Sequence, residues 1–463
     1  MMGRWLAMFF GVALMAGCSL DNAALGVGRQ ASPNVVSGKY IKHIVVMVQE
    51  NRSFDDFFAT YPGADGATYG YTSKGVKVTL KKSPLAAADI NHDWKTFLAE
   101  CDLQSGGICK MDGFDKAKID GNNPGGLYAY QYVDPTKIVP YWSIAQNYVL
   151  LDHMFQTQGS GSFTAHQDLV AGATAINDTD SLIDFPNEAK VWGCDAPTPS
   201  PSNPYGSWVP LITTNDFYEN DPSKYQLPFP CLTYGTMRDL LDAKKIGWKY
   251  YTPTYDINKS RGGAGTEWNA FAAIHAVRYG SEWGTKVVWP ETLVCSDIAG
   301  GKLPSFSWVI PDQVDSDHPQ SKNQQDDGPD WIASVVNAIG KSQYWNSTAI
   351  VVVWDDWGGF FDNVPPKFYS SGQLGFRVPA LVISPYVAQG KVSHVPFEFG
   401  SILKFAEQTF GLGSLGTTDV RAKSIGDVFD FTKPPRSFVS VPTQRTCGDF
   451  ERRRPSNLPV DTE

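Results

Sequence analysis

The chain lacks any excess of positive charge: 39 lysines and arginines face 48 aspartates and glutamates, for a net charge of −9. With no Lys/Arg stripe to reverse that balance, no nucleic-acid partner is expected. Beyond the N-terminus no apolar run is long enough to span a bilayer. Cysteines are few, seven in all, and no C-x-x-C occurs, which argues against a zinc finger. Internal repeats are also missing. What is present is core material, 42% hydrophobic and 13% aromatic residues over 463 positions, enough for one large domain or two.

The first residues read as an export signal. Arg4 precedes a short apolar run that ends in small residues, the pattern of a secretory leader rather than a membrane span. The segment "LMAGC" has the form of a bacterial lipoprotein cleavage box, which makes Cys18 the expected lipidation site and a lipid anchor the expected link to a membrane. Ordinary signal-peptidase cleavage after Ala23 or Ala24, giving a periplasmic or secreted protein, is the alternative. Without Cys18, the six remaining cysteines are an even number in a chain bound for an oxidising compartment. Cys101 and Cys109 bracket a short Gly-rich loop and form the pair most readily proposed; the pairing of Cys194, Cys231, Cys295 and Cys447 stays open. The expected organisation is a leader over 1–18, a linker over 19–40, a single domain over 41–440, and a tail over 441–463, of which "ERRRPSNLPVDTE" is expected to be solvated.

Short apolar runs at 44–48, 306–310, 349–354 and 380–383 have the character of parallel strands buried on both faces. Helical patterns separate them: 233–247, with Thr233 as cap and Gly247 as stop, 328–342, and 398–413, which ends on glycine. The alternation predicts an α/β fold with a mostly parallel central sheet flanked by helices. Pro-, Ser- and Asn-rich sequence at about 173–232 reads as a long irregular insertion, and residues 60–130 are similarly Gly-rich.

The chemistry gathers where two of these strands end. "HIVVMVQENRSFDDFF" runs from an apolar strand straight into Glu50 and Asn51, and "STAIVVVWDDWGGFFDNVPP" runs into Asp355 and Asp356. Ligands of open α/β sheets collect beyond the carboxyl ends of the strands. If the two strands are neighbours, three carboxylates meet at one edge and need a cation to neutralise them. A third stretch, "FQTQGSGSFTAHQDLVAG", leads small residues into a helix and leaves a serine near its N-terminus, where free N–H groups favour an anion. That serine is either a helix cap or a nucleophile. It is not an α/β-hydrolase elbow, because Gln158 and Ser160 stand where glycines belong. His318 in "SDHP" and His92 in "NHDW" lie on loops, either as surface groups or as acids and phosphate contacts.

In that order, "HIVVMVQENRSFDDFF", "NHDW", "GSFTAHQDLVAG", "SDHP", "VVVWDDWGGFFDNVPP" and "DVFDFTKPPRSF" resemble the bacterial phosphoesterase family of phosphatidylcholine-type phospholipases C and acid phosphatases, within the alkaline-phosphatase-like superfamily. The resemblance covers residues 41–438. It implies a divalent cation (Zn²⁺, Ca²⁺, Mg²⁺ or Mn²⁺) held by Glu50, Asn51, Asp355, Asp356 and the nucleophile. It places that nucleophile at Ser162, although Gly161 replaces the family's proline and leaves Ser160 as a rival. His318 and His92 become the acid or phosphoryl contacts. The implied reaction is hydrolysis of a phospholipid phosphodiester through a phosphoserine, with phosphomonoester hydrolysis as the alternative and a non-catalytic lipoprotein of the same fold as a third reading. The family's late Asp-His is Asp362-Asn363 here, so that histidine's role is lost.

Overall fold

The computed structural model describes residues 37–119, 123–177, 179–187, 193–213, 221–224, 226–256, 267–319, 327–369, 374–456 and 458. The leader, the linker up to residue 36 and Cys18 lie outside the described residues. All described residues fall in one compact unit.

Among the described residues, nine strands make the central sheet. In chain order they are β1 (His43–Gln49), β2 (Val149–Phe155), β3 (Trp248–Tyr251), β4 (Val287–Val288), β5 (Phe306–Val309), β6 (Thr348–Trp354), β7 (Arg377–Ile383), β8 (Lys391–Ser393) and β9 (Phe397–Glu398). Their spatial order is β4-β3-β5-β1-β6-β7-β2-β8, with β9 also paired to β2. β1 lies parallel between β5 and β6, with Met47 opposite both Val309 and Val352. All three strands are buried on both faces apart from the half-buried His43, which explains runs such as "AIVVVW" without polar alternation. The acids that follow β1 and β6 therefore emerge side by side.

One expectation needs correction. β7, expected to be parallel, runs antiparallel to both of its neighbours. Burial on both faces produces the same apolar run in either direction, so hydropathy carries no orientation. β7 also begins earlier than its apolar run, at Arg377, and contains Pro379, which has no N–H for a ladder. The partner strand β2 accommodates this. Its register slips between Leu151 and Met154, placing Asp152 and His153 opposite Pro379 as a bulge.

Among the helices, α1 (Phe54–Phe58) follows β1, α2 (Trp94–Cys101) follows the His92 loop, and α3 (Val139–Asn147) leads into β2. α4 (Ser162–Ala171) follows β2 after a short loop, and its every residue is buried. α5 (Met237–Ala243) starts at a capping box of Thr236 and Asp239, three residues later than the expected Thr233 cap. α6 (Gly328–Gly340) and α7 (Phe399–Phe410) match the predicted helical patterns, and α7 closes on left-handed Gly411. The six cysteines among the described residues form Cys101–Cys109, Cys194–Cys231 and Cys295–Cys447. Just ahead of the stretch expected to be solvated, a helix (Cys447–Arg452) buries Phe450 against Trp331 and leaves Glu451 and Arg452 exposed.

Candidate active site

The end of β1 turns sharply. Asn51 adopts φ +62°, a left-handed conformation that asparagine tolerates, and Ser53 then caps α1. Across from it, the end of β6 is held by Asp355 N–H donating to Gln49 O at 2.9 Å and Arg52 N–H donating to Asp356 O at 3.0 Å. Gly358, at φ +60°, lies so close that a Cβ there would stand 2.2 Å from Asn51 O. Glycine is required for these two turns to touch.

Backbone amides orient the acids. Asp355 Oδ1 accepts from Asn51 N–H at 3.0 Å and from Asp356 N–H at 2.8 Å, leaving its buried Oδ2 without a hydrogen-bond partner. Asp356 Oδ1 accepts from Gly358 N–H at 2.8 Å, and its Oδ2 accepts from Ser162 Oγ at 3.1 Å. Asn51 is held by His92: imidazole Nδ1 lies 2.6 Å from Ile90 O and donates to it, so Nε2 at 2.7 Å accepts from the Asn51 amide. That fixes the amide with Oδ1 buried and unpartnered.

α4 brings Ser162 into the cluster as its first residue, after Gly161 as N-cap. One turn later, His166 points Nε2 at Glu50, 3.2 Å from Oε1, and at Asp355 Oδ2, 3.7 Å away. Glu50, His166 and Asp355 each offer a ligand atom within 4.8 Å of the others. Sequence reasoning left His166 without a role; its i,i+4 spacing from Ser162, which puts both on one helix face, is the signal that identifies it.

Every one of these side chains is buried, Ser162 being 1% exposed. Burial, with the adjacent Asp355 adding to it, pushes the Asp356 carboxyl well above its usual range. Burial also pushes His166 down to about 4 against the pull of Asp355, keeping its imidazole neutral and able to ligate a metal. Three buried acids beside two imidazoles, together with orphaned oxygens on Asn51 and Asp355, fit a bound divalent cation.

The remaining expected residues lie close by. His318 has its ring 6.5 Å from that of His92 and 5.9 Å from that of Trp268, with Nδ1 3.2 Å from Pro319 O. Asp317, before it, anchors the loop: its N–H donates to Gln49 Oε1, and its Oδ2 accepts from Tyr141 and Trp354. Ser160 bonds Asp184 rather than Asp355 or Asp356. Its Oγ accepts from Asp184 N–H at 2.6 Å and lies 3.3 Å from Asp184 Oδ1. Asn363, which stands in place of the family's late histidine, has a structural contact instead, its Oδ1 accepting from Arg377 at 2.6 Å.

This arrangement meets a family match that spans most of the chain. Residues 41–413 match the model of the Phosphoesterase family, and the chain belongs to that family. The class of enzyme expected from the sequence, a hydrolase acting on phosphoester bonds, stands with that membership. Among curated relatives, the non-hemolytic phospholipase C of Pseudomonas aeruginosa is 24% identical over 437 residues, covering 86% of this chain and 58% of that protein. Phospholipase C B of Mycobacterium tuberculosis is 26% identical over 439 residues, covering 85% and 78%. Non-specific phospholipase C3 of Arabidopsis thaliana is 24% identical over 473 residues, covering 90% and 77%. This chain thus spans under two thirds of the Pseudomonas enzyme. Among solved structures, a protein in the alkaline phosphatase superfamily from Vibrio parahaemolyticus aligns over 84% of this chain and 72% of its own, at 12% identity and TM-score 0.37.

Proposed function

We propose that the chain is a metal-dependent phosphoric ester hydrolase of phospholipase C type, with Ser162 as nucleophile. The observation that carries this is the convergence of Ser162 Oγ on Asp356 at the N-terminus of α4, beside Glu50, Asn51, His166 and Asp355. Glu50, Asn51, Asp355, Asp356 and Ser162 would hold the cation, with His166 as a nitrogen donor. One imidazole nitrogen among carboxylate oxygens suits Zn²⁺ or Mn²⁺ better than Ca²⁺ or Mg²⁺. When bound, the cation lowers the pKa of the serine hydroxyl and offsets phosphoryl charge.

The chain's own groups do the rest. Ser162 Oγ passes its proton toward Asp356 Oδ2 and bonds to phosphorus, while the phosphorus–oxygen bond to the leaving alcohol breaks. The N–H groups opening α4 face the phosphoryl oxygens. His318 gives the departing alkoxide its proton, and His92 keeps the Asn51 amide turned so that Oδ1 would be available to a bound cation. Water then attacks the phosphoserine, releasing the phosphate product and restoring the hydroxyl. Three disulfides support an oxidising compartment, in keeping with export and with a lipid anchor at Cys18.

The depth of Ser162 favours a second reading, hydrolysis of small phosphomonoesters. A panel on the metal-reconstituted protein separates the two. Release of phosphocholine from phosphatidylcholine supports the phospholipase; phosphate from a chromogenic monoester, with the lipid untouched, supports the phosphatase. No turnover of any ester with any divalent metal would leave a non-catalytic lipoprotein.

A further inference from the structure

Residues 66–88 carry four lysines (Lys74, Lys77, Lys81 and Lys82) and no acidic residue, against the sign of the whole chain. Within them, Tyr69–Tyr71 and Lys77–Thr79 form an antiparallel ladder that pairs Tyr69 with Thr79, Gly70 with Val78 and Tyr71 with Lys77. Side chains in such a ladder alternate between faces. Gly70 and Val78 turn inward, where Gly70 sits against Phe361, close enough that a Cβ would stand 2.4 Å from its ring. Tyr69, Tyr71, Lys77 and Thr79 turn outward. Tyr69 is 43% exposed, Tyr71 48%, and Val76 at the turn 57%. Lys77 Nζ lies 3.6 Å from the centroid of the Tyr69 ring.

We propose that the outer face of this hairpin is a docking surface for an anionic phospholipid bilayer. Tyrosine has an apolar ring and a polar tip, which suits the headgroup boundary, and lysine stems lie along apolar surface while their ammonium groups reach phosphate. Scattered exposed apolar residues need no explanation. Here two tyrosines and Lys77 share one short ladder, with Lys74 and Val76 at its turn. Asp134 pairs with Lys82 and Asp115 bonds Ser73, so the exposed Lys74, Lys77 and Lys81 supply the charge complementary to an anionic bilayer. Phe361, on which Gly70 rests, belongs to the loop that leaves Asp355 and Asp356, and its N–H donates to Ala129 O. The hairpin therefore rides on the loop that follows the metal-type acids, so docking brings that loop to the lipid.

The biological sense of this surface rests on the phospholipid reading, but its measurement does not. Full-length Ser162→Ala protein is sedimented with vesicles of phosphatidylcholine alone and of phosphatidylcholine with phosphatidylglycerol. Binding is expected to favour the anionic vesicles and to weaken with salt. Each of Lys74→Ala and Lys77→Ala should lower it about fivefold. The triple change Tyr69→Ser, Tyr71→Ser, Val76→Ser should lower it for both vesicle types. Placed in the protein with Ser162 intact, the same changes should spare turnover of a soluble chromogenic ester. Unaltered sedimentation of the folded variants, no preference for the anionic lipid, or equally strong capture by heparin or RNA would overturn the proposal. Hairpin-dependent vesicle binding without hydrolysis of any ester would keep it and remove the phospholipase reading. Hydrolysis without hairpin-dependent binding would do the reverse.

Discussion

Ser160 and Ser162 stand two residues apart, are both buried, and carry opposite expectations under substitution. Ser160 Oγ serves Asp184, whose N–H donates to it at 2.6 Å and whose Oδ1 lies 3.3 Å away. Alanine at 160 strands a buried N–H, while Asp184 Oδ1 keeps its bond from Trp94 N–H. A stranded buried donor costs about 1–3 kcal/mol, so Ser160→Ala should destabilise the fold by about 2 kcal/mol and leave most of the turnover. Ser162 Oγ donates to Asp356, itself crowded by Asp355. Its loss should change stability by about 1 kcal/mol or less, yet lower kcat about 10⁴-fold or more, because the nucleophile is gone. Paired denaturant melts and single-turnover assays on a chromogenic phosphoester read both quantities. If Ser160→Ala is inactive and Ser162→Ala active, the reasoning from these contacts is refuted.

Asp356→Asn should lose both turnover and bound metal, and unchanged metal content after dialysis would contradict its place among the ligands. Asp184 is buried, and its carboxyl is pushed up to about 7, chiefly by burial and also by Asp93. Between about pH 4 and pH 7 the unfolded chain releases this proton while the folded chain keeps it, so stability falls as pH rises, by about 4 kcal/mol in all. Asp184→Asn, which suits the positive φ there, should abolish that loss. Melts at about pH 4.5 and 8 that differ equally for both proteins would contradict it. Cys295–Cys447 closes a separation of 152 residues and Cys101–Cys109 one of 8, so removing the first should cost about 5 kcal/mol and the second about 2.5 on a chain-entropy account. Equal losses in denaturant melts would count against that account.

The strands most legible in the sequence are those buried on both faces, because nothing polar interrupts the apolar stretches of β1, β5 and β6. β2 is hidden because Asp152 and His153 break its apolar run, and only the structure shows why they are there: they form the bulge opposite Pro379. Arg377 similarly looks like a boundary, yet it is buried in β7, its guanidinium paired with Asp362 and bonded to the Asp152 carbonyl. The acids of the candidate site are visible because a carboxylate at the end of a buried strand is costly unless something holds it. What the linear pattern leaves out is which group holds which acid or amide, even for a residue such as His92 that it singles out. His92 orients Asn51, and His166 reaches Glu50 from a helix more than a hundred residues away in sequence. Such contacts depend on which strands are neighbours, and the order β5-β1-β6 is set by tertiary packing rather than by local residue choice.

Trapping the covalent adduct addresses the central claim most directly. Protein reconstituted with metal is mixed with a chromogenic phosphomonoester, quenched in acid within a turnover, digested, and sequenced by mass spectrometry. The account predicts phosphate on Ser162 and none on Ser160. An unmodified Ser162 in protein that is turning over, or phosphate on another side chain, would contradict it.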